Sequence, residues 1–243
     1  MKIEICVQSL NEIKTAIQYD IDQIELNSCL HVGGLSPSLG LLQQAKQITP
    51  LPIFCMVRQR AGGFVYEDDE FRTLLLDGDL LLQHGAYGLV FGCLNKDLTI
   101  NMEQTRQLSD LCHRYNKVAV FHRAFDSTKD PINAYHQLVD CRIDRLLTSG
   151  QQVLASDGVE LIKKLVEMSQ IEIVVGSGVN ANNVKSIIQS TGCQWVHTSA
   201  REYVVDHQPL STVNYQYLEN NTLDILGDEK VAEFVKKVRE IDD

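Results

Sequence analysis

The chain has 243 residues, 44% of them hydrophobic and 22% charged, enough apolar material for a sizeable core. Its 32 acidic residues outnumber 22 basic ones, for a formal net charge of −10, which argues against nucleic acid and anionic membrane surfaces as partners. No apolar run approaches the ~20 residues of a membrane span, and Met1–Val7, interrupted by Glu4, lacks the long apolar core of a secretory signal. A reducing cytosol is therefore the expected compartment. Seven cysteines, an odd number and widely dispersed, are expected to be free thiols.

The first apolar run, Ile3–Val7, predicts a strand. Ser9 and Glu12 then form a capping-box pattern before a helix with Leu10, Ile13, Ala16 and Ile17 on one face. The second run, Gln23–Leu26, carries Glu25 near its end. The third, Ile53–Val57, stops at Arg58, with Arg60 and the Gly62–Gly63 pair in the loop beyond. Gly88–Phe91 is the fourth run, and Asn101 with Gln104 repeats the capping pattern after it. Val118–Phe121, the fifth, runs into His122 and Arg123. Asp130 followed by Pro131 predicts the start of the next helix, with Ile132, Tyr135, Leu138 and Val139 on one stripe. Arg145–Leu147 ends at Thr148-Ser149-Gly150, Ile171–Val175 at Gly176-Ser177-Gly178, and Trp195–His197 at Ser199-Ala200-Arg201. The polar stretch 202–227 predicts an irregular segment serving as a lid, a subunit contact or an ordered tail. A last helix, Glu229–Ile241, repeats Val231, Phe234, Val235 and Val238 at helical spacing.

Eight strand–helix units in a chain close to the ~250 residues typical of the fold predict a single-domain (β/α)8 TIM barrel over residues 1–243. The near-continuous apolar runs suit parallel strands covered on both faces. In this fold the chemistry sits at the carboxyl ends of the strands, so residues from Glu25 to Arg201 are expected around one mouth.

Several constellations on that rim point to chemistry. Gly176, Ser177 and Gly178, with Ser199 and Arg201, suit an anion or phosphate, because loops seven and eight of many barrels bind one through backbone N–H groups. Ser149 and Gly150 join them at the end of the sixth run. The competing explanation is a tight turn with positive φ. If Val118 and Val120 face inward, so does His122; with Asp126 in the following loop it suits a general acid or base, unless it serves only structure. Glu25 and Arg58, on neighbouring strands, are expected to pair, keeping Glu25 ionised to accept a proton, hold a hydroxyl or bind a cation. The alternative is a structural salt bridge. His197 ends the eighth run, facing either way. No local cysteine spacing marks a metal site. Cys6 and Cys29, in the first two units, are close enough in topology to approach, and thiolates suit Cu(I). Each also fits as a small core residue.

The chain resembles the CutC family, known as copper homeostasis proteins. The match is carried by Glu4-Ile5-Cys6-Val7, Ile24-Glu25-Leu26, Gly33–Ser38, Arg58–Phe64, Val90-Phe91-Gly92, Phe121–Asp126, Leu147–Gly150 and His197–Arg201, in family order from Met1 to Arg201. The resemblance implies a TIM barrel, a cytosolic homo-oligomer and the binding or trafficking of copper, with thiolate ligands on the first two strands. Cys6 keeps the first ligand position. The second is Asn27 here, with Cys29 two residues further on. Gln59, Ala61 and Ser177 also depart from the family's commoner proline, glycine and glycine. Copper handling by Cys6 with Cys29 is the reading the resemblance favours. One alternative is an enzyme for a small anionic or phosphorylated metabolite, with Glu25 or His122 moving a proton and Arg58 stabilising negative charge. Another is a non-catalytic binding or assembly protein.

Overall fold

The computed structural model describes residues 1–205 and 222–241. Strands β1 (Lys2–Val7), β2 (Gln23–Leu26), β3 (Ile53–Met56), β4 (Gly88–Phe91), β5 (Val118–Phe121), β6 (Arg145–Thr148), β7 (Glu172–Val175) and β8 (Trp195–Thr198) form a closed barrel in sequence order. All neighbours are parallel, and β8 closes onto β1 with Glu4 opposite His197. Each strand lies within one residue of its expected run. Helices α1 (Leu10–Ala16), α2 (Leu39–Ile48), α3 (Asp68–Gln83), α4 (Met102–Arg114), α5 (Pro131–Asp140), α6 (Val159–Met168), α7 (Val184–Thr191) and α8 (Asp228–Arg239) accompany them. Three helix starts are fixed by the expected side chains: Ser9 Oγ accepts from Glu12 N, Asn101 Oδ1 from Gln104 N, and Asp130 Oδ1 from Ile132 and Asn133 N.

Two-residue alternation sorts each strand into an outer and an inner set. The outer set, including Ile3, Ile5, Val7, Ile24, Leu89, Phe121 and Val196, packs with helix residues such as Leu74, Leu108, Tyr135 and Phe234 in one large core. The inner set fills the lumen. Phe54, Met56, Val90 and Val120 form one cluster there, and Leu147, Val174 and Trp195 another.

The segment 202–227 departs from the expectation of irregularity. Strand β9 (Arg201–Val205) pairs antiparallel with β10 (Thr222–Leu226), Arg201 opposite Leu226. Alternating apolar residues at Tyr203, Val205, Leu223 and Ile225 support the pairing, a period hidden by the polarity of the intervening stretch. Residues 206–221 lie outside the described residues. The ribbon is tied to the barrel by Gln8, whose Nε2 donates to the Asp224 carbonyl at 3.1 Å.

Below the mouth the lumen is polar as well as apolar. Glu4 accepts from Gln23 Nε2 at 2.5 Å, Gln23 Oε1 accepts from Arg145 at 2.8 Å, and Arg145 pairs with Glu172. The Arg145 guanidinium lies between the rings of Phe54 and Trp195, 5.2 and 4.3 Å from their centroids. Arg145→Met removes both ring contacts and orphans Gln23, and is expected to destabilise the fold by about 2 kcal/mol in urea unfolding.

Candidate metal centre

Strand β1 is flanked by β2 and β8, and the inner positions of all three carry polar groups at the mouth. Cys6 stands opposite Glu25 in the β1–β2 register, with His197 two positions beyond Trp195 on β8. The Cys6 Sγ, a Glu25 carboxylate oxygen and a His197 ring nitrogen all lie within 4.8 Å of one another. They line the floor of a cavity of about 990 Å³ at the carboxyl ends of the strands. His197 Nδ1 is 2.6 Å from Glu4 Oε1, and the same ring hydrogen-bonds the Cys6 thiol. Asn27 Nδ2 donates to Glu25 Oε1 at 2.9 Å, while Glu25 Oε2 is buried with no partner among the described residues.

The electrostatics follow from burial. Desolvation pushes the Cys6 thiol above its ordinary range, against the pull of His197. Burial likewise raises the Glu25 carboxyl. For His197 burial acts downward, but Cys6, Glu25 and the Glu4 hydrogen bond outweigh it and hold the imidazole well above its usual value. Sulfur and nitrogen in the cluster therefore hold protons more tightly than in water, and an entering cation would compete with those protons. Sequence reasoning missed Glu4 and Asn27. Their signal was the strand period itself: Glu4 is two residues from Cys6, and Asn27 two from Glu25.

The opposite wall of the mouth is cationic. The Arg58 guanidinium donates to three carbonyls, Val32 and Gly34 at 2.9 Å each and Gly62 at 2.7 Å. It is not paired with Glu25 as expected, because these loop carbonyls take its terminal nitrogens. Val118 and Val120 do face inward, and His122 continues their row onto the cavity wall. Its Nδ1 accepts from the Ala124 N–H at 3.1 Å, which puts the proton of the neutral ring on Nε2. Burial, aided by Arg58, drops its pKa to about 3. Gly92 makes room for this ring: a Cβ there would come within 2.4 Å of it. Phe64 packs against both groups, 4.9 Å from His122 and 5.3 Å from the Arg58 guanidinium.

Other expected site residues are engaged elsewhere. Asp126 does not reach His122. It accepts from Arg123, from the Thr148 and Ser149 hydroxyls, and from the Ser149 and Gln151 amides. The Ser149 amide is thus already on an anion, the protein's own, and the Gly150 amide goes to Thr148 Oγ1. Arg201 donates bidentately to Glu12, at 3.0 and 2.7 Å, and reaches Asp224, leaving no free fork for a ligand. Ser177 and Gly178 have positive φ, and the Ser177 hydroxyl donates to Val153 O. A Cβ on Gly176 would press on Leu147 and His197, so that glycine serves close packing. Ser199 lies half-buried on the cavity wall. All seven cysteines are free; Cys29 is exposed before a short 3-10 turn and outside the Cys6–Glu25–His197 group.

A (β/α)8 barrel with a thiol, an imidazole and a carboxylate converging under its mouth defines a barrel protein whose pocket gathers three candidate metal ligands. The chain belongs to the CutC family, whose model matches residues 1–202. A CutC family protein of Glaesserella parasuis is 41% identical over 98% of this chain and 99% of its own. One from Treponema denticola is 42% identical over 82% and 81%. Among solved structures, a CutC from Streptococcus agalactiae, described as a copper homeostasis protein, superposes with a TM-score of 0.74 at 32% identity, covering 81% of this chain and 97% of that one. Phosphoribosylanthranilate isomerase from Pyrococcus furiosus matches at TM-score 0.56 and 16% identity over 99% of both chains, a likeness of fold alone.

The buried His122 gives a pH signature. The unfolded chain takes up its proton near pH 6.5 and the native ring only near 3. Stability is therefore flat above 6.5 and falls as pH drops toward 3, at about 1.4 kcal/mol per pH unit from this ring. In urea unfolding between pH 4.5 and 7, His122→Gln is expected to lose that much slope relative to wild type.

Proposed function

We propose that the protein handles copper in a reducing cytosol, holding Cu(I) through the Cys6 thiolate and the His197 imidazole, with Glu25 supplying compensating charge. The observation that carries this is the convergence of three donors within 4.8 Å, two buried and the His197 imidazole partly so. The donor chemistry fits. Sulfur and imidazole suit Cu(I), and Glu4 on the other ring nitrogen fixes the imidazole's direction, as a carboxylate commonly does behind a metal-bound histidine. The orphaned Glu25 Oε2 is an acceptor that gains a partner when a cation arrives. This reading replaces Cys29 with His197 as the companion of Cys6.

A phosphorylated substrate is less well supported. Of the groups expected to take a phosphate, the Ser149 amide is spent on Asp126 and the Arg201 guanidinium on Glu12 and Asp224. Among the described residues no helix is long and apolar enough to cross a membrane.

Anaerobic competition titrations with a Cu(I) chelator test the site. Cys6→Ser and His197→Ala are each expected to weaken Cu(I) binding at least ~100-fold, Glu4→Gln about ten-fold, and Cys29→Ser not at all. Affinity is expected to rise with pH, since binding releases protons from sulfur and nitrogen. Equal binding by wild type and Cys6→Ser, or a preference for Zn(II) over Cu(I), overturns the proposal.

A further inference from the structure

The cavity is far larger than one metal ion requires. Its volume of about 990 Å³ is that of a small-molecule pocket. On the wall formed by β3 and β5, two buried donors lack partners among the described residues: Arg58 Nε and His122 Nε2. Both side chains are at least nine-tenths buried, at 5% and 4% exposure. Neither is adaptable. Three carbonyls hold the guanidinium plane, and the Ala124 N–H fixes the imidazole tautomer with its proton on Nε2. Among the described residues Arg58 also meets no carboxylate, so its positive charge is held under the mouth against carbonyl dipoles and the face of the Phe64 ring. Burying a charge without a counter-ion and leaving two N–H bonds unmade is unfavourable, a cost that an incoming anion offsets.

We propose that this wall binds the carboxylate of a small organic acid, whose oxygens accept the N–H bonds of Arg58 Nε and His122 Nε2. Two unmatched donors and one charge match a carboxylate. A phosphate needs more donors, and the Ser149 amide and Arg201 guanidinium that would add them are held on the protein's own Asp126 and Glu12. An N–H pair repels a metal ion, so this site is separate from the thiol cluster and does not depend on it. Met56, Leu147 and Phe64 line the same cavity and give the carbon portion of the acid apolar surface. Phe64 packs on both groups, so the acid takes the place of its ring against them.

The test uses copper-free protein, so that failure of the copper site leaves it unaffected. Calorimetric titrations with acetate, lactate and succinate are run against chloride and inorganic phosphate at matched ionic strength. Saturable carboxylate binding is expected, with His122→Leu weakening it about ten-fold. In wild-type protein the His122 Nε2 proton resonance is expected to move downfield on saturation, a readout that holds even if the variant folds poorly. Binding no stronger than chloride, tighter binding of phosphate, or an unmoved His122 resonance overturns the proposal.

Discussion

One imidazole between two carboxylates sets the electrostatics of this barrel. Glu4 and Glu25 both project into the lumen, where an isolated carboxylate would be costly to desolvate. His197 answers both: it hydrogen-bonds Glu4 and its charge acts on Glu25. Cys6 lies against the same ring, so sulfur, nitrogen and carboxylate oxygen share one proton economy. Any change of charge at one of them is felt by the other two.

That arrangement is supported from below. The second oxygen of Glu4 is held by Gln23, Gln23 by Arg145, and Arg145 by Glu172 and two aromatic rings. These contacts run down the lumen from the mouth toward its opposite end. They constrain Glu4 so that its remaining oxygen has one direction left, toward His197 Nδ1. Orientation of the cluster is thus a consequence of core packing, and the lumen's polar layer is both structural and preparatory for the site.

Most of this architecture was legible in the sequence. Short apolar runs ending in polar residues gave eight strands, and alternation assigned His122 to the lumen once Val118 and Val120 were placed. The partners of Arg58 were not legible: its three carbonyls come from loops after β2 and β3, and backbone acceptors carry no residue signature. Arg201 shows the same difficulty at long range. Its partner Glu12 is 189 positions away and had been assigned to a helix cap. Glu12 does reach back, but to the Gln8 amide, and holds Arg201 as well. The glycine-rich run Gly176–Gly178 was ambiguous because close packing and anion binding both favour glycine.

The departure at position 27 bears directly on the donor set. Asn27 stands where the family resemblance places a second cysteine, and it is wholly buried. Among the described residues its amide is the single side-chain donor to Glu25, and its Oδ1 sits so near Gly34 that a Cβ there would come within 2.4 Å. A thiol at this position lacks the strong N–H that lowers the Glu25 pKa, so the carboxyl would be still harder to ionise in the lumen. Exchanging cysteine for asparagine therefore does two things at once. It removes a soft donor, and it favours the charged form of an oxygen donor two residues away. The result is a mixed sulfur, nitrogen and oxygen cluster, in which Cys6 supplies the soft character and Glu25, held by Asn27, the negative charge that a second thiolate would otherwise bring.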